Sequence, residues 1–378
     1  MLRIGLNLLH ALPEIGGGWN YIANLIAAIA NCDDRNQYVA FVSPHSETLV
    51  PGQANFTTVM VRIDTRRRVR RILYEYTGLQ IQAIRHKLDC MHWFGNTTAL
   101  WNAVPAAVTV YDLLPFVGAG LPYGGSKAKV RYLRWAVARS ARTASILLPM
   151  SQSTGTELTR LFAVDAGRIV VVPTILNPEY RVRSQAETAA IRVRYGLPEK
   201  FWLYVAHFYP HKNHARLVAA YAQLLAAGHR PWKLVLRGDP KGAEGEVAEK
   251  IAAAGLGEEI LFLPRLEESE LAAIYTAAGG LIYPSLYEGG AIPILEAAGC
   301  GCPVIVAEIP VAVELLGMAA TYFDPTAVDA IANAMLNFEN AGTAQAVHRS
   351  AGLSCAEKHR PEAVVGNLLH AYSQIVRR

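Results

Sequence analysis

Two glutamates with seven residues between them, Glu288 and Glu296, enclose a pair of glycines and a proline. The apolar run at 280–283 predicts a buried parallel strand. Pro293 suits the first turn of a helix, because its missing N–H costs nothing there and its fixed φ is already helical. The segment between the strand and the helix is therefore a turn that carries the first glutamate and the glycines.

This predicted turn has the chemistry of an anion site. The first N–H groups of a helix are unpaired and carry partial positive charge, so they suit a diphosphate. The glycines let the backbone approach a ligand closely, and the two carboxylates can accept hydrogen bonds from hydroxyls. The structural alternative is a solvated loop residue at Glu288 and an acid at Glu296 that the helix dipole stabilises. The N–H groups concerned belong to Gly289, Gly290, Ala291 and Ile292.

Apolar strands and amphipathic helices alternate through both halves of the 378 residues, which predicts an α/β protein with parallel sheets built from βαβ units. The length suits two domains, each with its own core. In the first half the pattern predicts a helix over 68–86 and a last strand over 168–172. A polar, helix-breaking stretch from 176 to 187 separates the halves. Six more strands are predicted after it, near 202–206, 232–237, 259–263, 279–283, 303–307 and 319–322.

Two more loops of the second half carry polar groups directly after predicted strands. His207 and Lys212 follow the strand at 202–206, and Arg237 ends the strand at 232–237. The carboxyl ends of parallel strands lie on one edge of a sheet, where ligands bind. We therefore expect these side chains to converge with Glu288 on one anion site. An ordinary exposed lysine at the start of a helix is the alternative interpretation of Lys212.

The first half also places polar groups after its strands. Gly16, Gly17 and Gly18 follow the first strand and open a helix, although a flexible turn would explain this triplet equally well. The triplet lacks the Gly-x-Gly-x-x-Gly spacing of dinucleotide dehydrogenases. Tyr111 and Asp112 follow a later strand. The tyrosine hydroxyl can donate to an oxygen of a ligand, and the aspartate can orient an acceptor or a loop, or simply cap a turn.

The spacing of Glu288 and Glu296 resembles the Glu-(seven residues)-Glu signature of the retaining family 4 glycosyltransferases, which have the GT-B fold. Residues 207–213 resemble the Gly-Arg-x-x-x-x-Lys-Asn segment of that family, and Lys212 takes the place of its diphosphate-binding lysine. Residues 108–115 resemble its Thr-Ile-His-Asp-Leu strand end. The glycine triplet is similar to its glycine-rich loop, in which Gly17 and Gly18 would contact donor phosphate.

The chain departs from this family at three positions. Gly290 stands where a bulky aromatic is usual, His207 replaces an arginine, and Tyr111 replaces a histidine that lies near the transferred sugar. Because a histidine is largely neutral near pH 7, the site needs a second cation from elsewhere. Arg237 is the candidate for that cation.

The resemblance implies two Rossmann-like, doubly wound domains facing each other across a cleft. It implies an acceptor-binding domain at 1–178, a nucleotide-sugar-binding domain at 179–360 and a C-terminal helix at 361–378 that packs back on the first domain. The implied reaction transfers a hexose from a nucleotide diphosphate sugar to an acceptor hydroxyl and retains the anomeric configuration.

The same resemblance implies a role for each site residue. Lys212, Arg237 and the helix-start N–H groups would stabilise the departing diphosphate, so no metal or other cofactor is expected. Glu288 would hold hydroxyls of the sugar and Glu296 those of the ribose. Tyr111 and Asp112 would lie on the side of the sugar and the acceptor.

The overall pattern is similar to that of bacterial surface-polysaccharide mannosyltransferases. This favours GDP-mannose as the donor, with uridine diphosphate sugars next, and a glycan or lipid-linked glycan as the acceptor. Two alternatives stay open. One is a catalytically silent sugar-nucleotide binder, because His207 and Tyr111 depart from the family, and the other is a sugar-nucleotide epimerase with the same architecture.

Basic residues cluster in two segments of the first half, while the formal net charge is +5. The segment Arg66–Arg71 contains five arginines, and the segment 126–142 contains six basic residues and no acid. If 126–142 is a helix, Trp135 lies on its basic side, which suits an anionic bilayer at roughly 1 kcal/mol per cation. A solvated helix face is the alternative. No nucleic-acid-binding module accompanies the charges, so nucleic acid is not an expected partner.

The remaining composition bounds the compartment. Five scattered cysteines argue against a disulfide framework and fit a reducing environment, and Cys300 and Cys302 lack a second pair of metal ligands nearby. The first residues turn polar too soon for a secretory signal, and no run of about 18 apolar residues occurs. We therefore expect a cytoplasmic protein, either soluble or peripheral at the inner face of the membrane.

Overall fold

The computed structural model describes residues 1–13, 16–117 and 127–377. These residues form two compact units. The first unit contains residues 1–13, 16–117, 127–175 and 359–377, and the second contains residues 176–358. Each unit is built on a six-stranded sheet in which every pairing is parallel, so the predicted α/β fold with two parallel sheets is confirmed.

The sheet of the first unit has the strand order β3-β2-β1-β4-β5-β6. Its central strands are apolar and buried along almost their whole length, as expected for a parallel sheet covered on both faces. The strand order reverses between β1 and β4, and the crevice at such a reversal is where ligands bind in doubly wound sheets. The strands are β1 Arg3–Asn7, β2 Gln37–Val42, β3 Phe56–Met60, β4 Cys90–Trp93, β5 Ala106–Val110 and β6 Ile146–Pro149.

Seven helices cover this sheet among the described residues. The last of them, α15, comes from the end of the chain and packs on α1 and the sheet, where the Tyr372 hydroxyl lies 2.7 Å from His92 Nδ1. The side chain of Ser151 caps α6 by accepting a hydrogen bond from Thr154 N. The helices are α1 Gly17–Cys32, α2 Arg68–Tyr76, α3 Gly78–Arg85, α4 Leu114–Val117, α5 Lys127–Thr143, α6 Gln152–Phe162 and α15 Pro361–Arg377.

The sheet of the second unit has the order β12-β11-β10-β7-β8-β9, so its reversal lies between β10 and β7. Both of these strands are buried at every residue, and Trp202 and Tyr204 of β7 are fully enclosed in the core. The strands are β7 Phe201–Val205, β8 Lys233–Arg237, β9 Ile260–Leu263, β10 Gly280–Tyr283, β11 Val304–Ala307 and β12 Ala320–Phe323.

The helices of the second unit follow its strands, apart from α7, which precedes them. Ser184 and Glu187 form a capping box at the start of α7, and Gly196 ends it in the left-handed conformation. The helices are α7 Gln185–Tyr195, α8 His214–Ala226, α9 Glu244–Ala253, α10 Glu268–Ala277, α11 Ile292–Gly299, α12 Pro310–Leu316, α13 Val328–Asn340 and α14 Gly342–Glu357.

Two expectations about the first unit are wrong. The predicted helix over 68–86 is two helices, because the backbone of Thr77 leaves the helical conformation between them. The predicted strand over 168–172 is extended chain with one isolated bridge, from Ile169 to Leu147 of β6. Its start is occupied by a short 3₁₀ turn at Ala166–Arg168 instead.

The sequence pattern also missed two helices of the second unit. The stretch that looked helix-breaking up to residue 187 already contains the first turn of α7, whose start is marked by the Ser184–Glu187 capping box. Helix α14 has a weak apolar stripe and was not predicted at all. Among the residues that the structure describes, no helix combines the length and the apolar character needed to cross a bilayer.

Candidate functional site

Lys212 and Glu288 meet at the reversal point of the second sheet. Lys212 follows β7 and Glu288 follows β10, and the two strands are neighbours. Lys212 Nζ donates a hydrogen bond of 2.5 Å to Glu288 Oε1. Both side chains are mostly enclosed, with 16% and 10% of their surface exposed. The structure therefore joins two predicted site residues that are 76 positions apart in the chain.

Helix α8 and the turn before it hold Lys212 in place. The Tyr204 hydroxyl of β7 donates to Lys212 O at 2.5 Å. Asn213, which adopts the left-handed conformation at φ 64°, starts α8 and is buried. Its side-chain Nδ2 donates to Pro284 O at 3.0 Å and to Pro325 O at 2.8 Å. One amide thus ties the loop after β7 to the loops after β10 and β12.

Glu288 is held by the loop after β10 and by a buried tyrosine. Leu286 N donates to His211 O at 2.8 Å, so the backbone of this loop is bonded to the loop after β7. The hydroxyl of Tyr283, the last residue of β10, donates to Glu288 Oε1 at 2.9 Å. The carboxylate therefore receives two hydrogen bonds on one oxygen, and its position is defined before any ligand binds.

The electrostatic surroundings keep Glu288 ionised. Burial, the largest single influence, would raise the pKa of this carboxyl. The charges of Lys212 and His211 and the hydrogen bonds from Lys212 and Ser285 together outweigh burial, and the net result is a lowered pKa. Glu288 is consequently an acceptor of hydrogen bonds at neutral pH. It suits the hydroxyls of a ligand and disfavours a phosphate at the same point.

The backbone between Glu288 and α11 presents unpaired donors. Ala291 precedes α11 in the left-handed conformation at φ 46°, which is strained for a residue with a Cβ. Within the described parts of the chain, the N–H groups of Gly289, Gly290, Ala291 and Ile292 have no backbone acceptor. They lie where the sequence predicts a helix-start anion site, and the binding of an anion there stays a prediction.

Arg237 ends β8, the neighbour of β7, at the same edge of the sheet. Its Nε is buried and finds no hydrogen-bond partner among the described residues. The loops after β7 and β8 continue to pair past the strand ends, since Ala206 N donates to Arg237 O at 2.9 Å and Phe208 N to Asp239 O at 3.1 Å. This close pairing requires Gly238, because a Cβ there would overlap the carbonyl oxygen of Ala206.

His207 lies in the same pair of loops as a neutral ring. Asp239 N donates to His207 Nδ1 at 3.0 Å, which places the ring proton on Nε2. Burial lowers the pKa of His207, and the charges of Arg237, Lys241 and Lys212 lower it further against the opposing effect of Asp239. The ring therefore offers one outward N–H donor and no charge.

Glu296 lies in α11. Its carboxyl is buried, and the hydroxyl of Tyr275 donates to Glu296 Oε2 at 3.0 Å. Burial raises the pKa of Glu296 to about 7, and the hydrogen bonds from Tyr275 and Tyr180 and the charge of Arg237 only partly oppose the rise. The predicted contact with a ribose therefore involves a carboxyl that already has tyrosine partners.

The chain is similar to known proteins. A family model described as "Glycosyl transferases group 1" matches residues 188–351, and one described as "Glycosyltransferase Family 4" matches residues 15–180. The chain is 30% identical to the O-antigen chain mannosyltransferase B of Escherichia coli, over 78% of the chain and 76% of that protein. The chain belongs to the family 4 glycosyltransferases.

A second relative of this glycosyltransferase is also an O-antigen mannosyltransferase, and solved structures share its fold. The O-antigen chain mannosyltransferase RfbU of Salmonella typhimurium strain LT2 is 25% identical over 61% of the chain and 60% of that protein. Two solved structures match with low identity and show the fold alone. They are sucrose-phosphate synthase from Thermosynechococcus elongatus, with a TM-score of 0.78, 18% identity and 100% coverage of both chains, and Anabaena Alr3699/HepE, with a TM-score of 0.73, 18% identity and 100% coverage of both chains. The glycosyltransferase has the GT-B fold.

The site residues predicted in the first unit lie at the carboxyl edge of its sheet. Helix α1 begins at Gly17, so Gly17 and Gly18 form its first turn. Tyr111 N donates to Asn96 Oδ1 at 2.7 Å, and the Tyr111 ring packs edge-on against Tyr21. The Tyr111 hydroxyl is buried and has no hydrogen-bond partner among the described residues.

Asp112 caps a turn in this glycosyltransferase. Its Oδ1 accepts a hydrogen bond of 3.0 Å from Leu114 N at the start of α4, and its carbonyl oxygen accepts one of 3.0 Å from Asn96 Nδ2. The structural alternative for Asp112 is therefore observed. A role of Asp112 in orienting an acceptor stays a prediction.

Metal ligands are not grouped in the described residues. No cluster of three or more histidine, cysteine or acidic side chains with suitable geometry occurs in residues 1–13, 16–117 and 127–377. Cys300 and Cys302 are buried free thiols, and burial raises the pKa of Cys302 to about 12. These two cysteines thus behave as small core residues at the entry to β11.

Two residues that define the site were missed from the sequence. Tyr283 supplies a hydrogen bond to Glu288, and Asn213 joins three loops. The only sequence signal for Tyr283 is a polar hydroxyl on the last residue of an apolar strand. For Asn213 the signal is an asparagine directly before a helix, which suits a left-handed start.

Proposed function

We propose that this protein transfers a hexose, mannose in particular, from a nucleotide diphosphate sugar to a hydroxyl of a glycan or lipid-linked glycan, with retention of the anomeric configuration. The observation that carries the proposal is the meeting of Lys212 and Glu288 at the reversal point of the second sheet. A cation, a carboxylate and unpaired N–H groups there match the diphosphate and the hydroxyls of one sugar nucleotide.

The proposed chemistry separates charge. Breaking the anomeric bond leaves positive charge on the sugar ring and negative charge on the departing diphosphate. Lys212, the guanidinium of Arg237, whose Nε is unpartnered among the described residues, and the N–H groups from Gly289 to Ile292 stabilise that negative charge. These groups supply the stabilisation that a divalent cation supplies in other transferases, so we propose catalysis without a metal cofactor.

Glu288 acts on the sugar in this proposal. It is ionised and already aligned by Tyr283, so it can accept hydrogen bonds from sugar hydroxyls without reorganisation. His207 adds a neutral N–H donor at the same edge. Glu296 binds the ribose hydroxyls, and Gly17, Gly18, Tyr111 and Asp112 contribute from the first unit to donor phosphate and acceptor binding.

The choice of donor rests on the similar proteins. The two relatives described above are O-antigen mannosyltransferases, which favours GDP-mannose as the donor. Anabaena Alr3699/HepE has been solved in complex with UDP-glucose, which supports a nucleotide sugar as the donor class. We propose GDP-mannose as the donor, and cytoplasmic synthesis of a surface polysaccharide as the setting.

Site variants test the transfer directly. Lys212→Ala and Glu288→Gln should abolish the release of GDP from GDP-mannose while the protein stays folded at the assay temperature. Lys250→Ala, which removes a solvent-exposed lysine of α9, is the matched control and should retain wild-type release. Full activity of either site variant would refute the proposed site.

Ligand screening and product analysis separate the alternatives. The correct donor should raise the melting temperature of the wild-type protein more than other sugar nucleotides do, because it binds only the folded state. NMR of the transferred sugar reports whether its anomeric configuration is retained. Donor binding without hydrolysis or transfer over a panel of acceptors would favour a silent binder, and conversion of the donor without an acceptor would favour an epimerase.

We further propose that the first unit docks on an anionic membrane surface. Helix α2 exposes Val69 and Leu73 among the arginines that precede and surround them, and α5 exposes Tyr132 and Trp135 beside Arg131 and Arg134. The two helices are adjacent, since the hydroxyls of Tyr76 and Tyr132 lie 3.5 Å apart. Exposed apolar side chains ringed by cations suit the boundary between headgroups and acyl chains.

Flotation with vesicles tests this docking. The wild-type protein should float with vesicles that contain phosphatidylglycerol and not with pure phosphatidylcholine vesicles. Replacing Arg66, Arg67, Arg68 and Arg70 with glutamine should abolish flotation, and Trp135→Ala should weaken it. The matched control is Met318→Ala, which removes an exposed apolar side chain from the second unit. Unchanged flotation of the glutamine variant would exclude this surface.

A further inference from the structure

Four polar side chains gather at the reversal point of the first sheet. Asn7 ends β1, His10 follows it, and Arg71 and Glu75 lie one turn apart on α2. Asn7 Nδ2 donates to Glu75 Oε1 at 3.1 Å, and Arg71 Nε lies 3.8 Å from the same oxygen. We call these four residues the Arg71 cluster. They lie at the carboxyl edge between β1 and β4, where doubly wound sheets bind ligands.

Arg71 differs from the other arginines of its segment. Its side chain is 18% exposed, whereas that of Arg67 is 64% exposed. Arg66, Arg68 and Arg70 are also exposed. The basic segment Arg66–Arg71 therefore does not present all of its arginines to solvent. Arg71 points toward the sheet edge, and the others point toward solvent.

The Arg71 cluster contains hydrogen-bonding atoms without partners. Arg71 Nε and His10 Nε2 are buried, and neither has a hydrogen-bond partner among the described residues. The distance from Arg71 Nε to Glu75 is longer than a hydrogen bond. Leaving a buried donor or acceptor unpaired costs about 1–3 kcal/mol, so sites of this kind are completed by a ligand or by water.

The charges of the cluster indicate which ligand it suits. Burial, followed by the positive charge of Arg71, lowers the pKa of His10 to about 3, so this ring stays neutral. Burial raises the pKa of Glu75, and Arg71 and Asn7 oppose that rise. A phosphate would meet the Glu75 carboxyl as well as Arg71. Hydroxyls, which both donate and accept, match the mixture of donors and acceptors in all four side chains.

We propose that the Arg71 cluster binds the hydroxyls of the acceptor sugar, the residue that receives the transferred hexose. Arg71 and Asn7 donate to sugar oxygens, and Glu75 and His10 accept from sugar hydroxyls or exchange hydrogen bonds with them. This inference rests on the proposed function, because it assigns an acceptor to the same reaction. It assigns to acceptor binding four residues that neither the sequence motifs nor the similarity to known proteins single out.

Binding of a defined glycoside tests the cluster. Octyl α-mannobioside is the probe, and its affinity is measured by isothermal titration calorimetry on the full-length protein. Arg71→Gln and Glu75→Gln should each weaken binding about tenfold or more, since each removes a hydrogen bond to a charged group. Arg160→Gln, an exposed arginine on α6, is the matched control and should bind the glycoside as the wild type does.

Separate readouts distinguish a failure of this inference from a failure of the proposed function. GDP affinity and the KM for GDP-mannose should stay at wild-type values in both variants, while the KM for the glycoside rises. A wild-type protein that does not bind the glycoside, or variants that bind it normally, would overturn the Arg71 cluster as the acceptor site. Equal losses of GDP and glycoside affinity would also overturn it, because they would indicate a disturbed fold. Failure of the wild type to release GDP from GDP-mannose would instead contradict the proposed transfer.

Discussion

Removing the charge of Lys212 should destabilise the second unit in a way that depends on pH. In Lys212→Met the side-chain volume is kept, but Glu288 remains buried without its cation. Losing one member of a buried ion pair costs about 3–5 kcal/mol. Because 16% and 10% of these side chains are exposed, we expect a loss of about 2–4 kcal/mol at pH 7.

The sign of the pH dependence follows from the pKa of Glu288. In the wild type the pKa of Glu288 is lower in the folded protein than in the unfolded chain. The ionised Glu288 therefore stabilises the fold above the pKa of the unfolded chain, and this stabilisation is lost as the pH falls through the pKa of the folded protein. In Lys212→Met the charge that offsets burial most is gone, so we expect a raised pKa of Glu288 and an ionised carboxylate that destabilises the fold at pH 7. That penalty should shrink as pH falls toward 5. The variant and the wild type should therefore differ less at pH 5 than at pH 7.

Differential scanning calorimetry of a double-mutant cycle provides the assay. A loss of about 2–4 kcal/mol corresponds to a decrease in melting temperature of about 4–16 °C for a unit of this size. Glu288→Gln should recover most of the loss when added to Lys212→Met, because no buried charge is then left unpaired. Additive effects of the two substitutions, or a Lys212→Met deficit that does not change with pH, would refute this reasoning.

Three further predictions concern residues that shape the site. Gly238→Ala should lower the free energy of unfolding by about 1–3 kcal/mol or more, because the new Cβ would overlap the Ala206 carbonyl. The control Gly245→Ala, in open space on α9, should be neutral or stabilising. Glu296→Gln should stabilise the protein by about 1–3 kcal/mol at pH 8 and by much less at pH 5. The reason is that the pKa of Glu296 is raised to about 7 in the folded protein, so the wild type loses stability as the pH rises from the pKa of the unfolded chain through 7. Equal differences in melting temperature between variant and wild type at both pH values would contradict this. Asn213→Gly keeps the left-handed backbone but removes three side-chain hydrogen bonds, and should cost about 1–3 kcal/mol by denaturant unfolding. A wild-type midpoint would show that these bonds contribute nothing.

The fold class and the meeting of the loops could be predicted because they depend on local patterns and on one rule of topology. Alternating apolar strands and amphipathic helices indicate parallel sheets, and parallel strands bring their carboxyl ends to one edge. The observed pairing of β7 with β8 and β10 therefore brings Lys212, Arg237 and Glu288 to one edge. The errors at 68–86 and 168–172 arose where a non-helical residue, Thr77, or a short 3₁₀ turn interrupted the local pattern.

The sequence by itself determined which chemical groups follow each strand, because spacing along the chain decides which residues fall in a strand, a turn or a helix start. Only the tertiary structure decided how those groups are paired, charged and buried. It turned Arg71 inward beside Glu75, gave Glu288 a tyrosine partner, and enclosed Glu296 so that its pKa rises to about 7. Hydrogen bonds and desolvation depend on neighbours that lie far away in the chain, and no local pattern contains those neighbours.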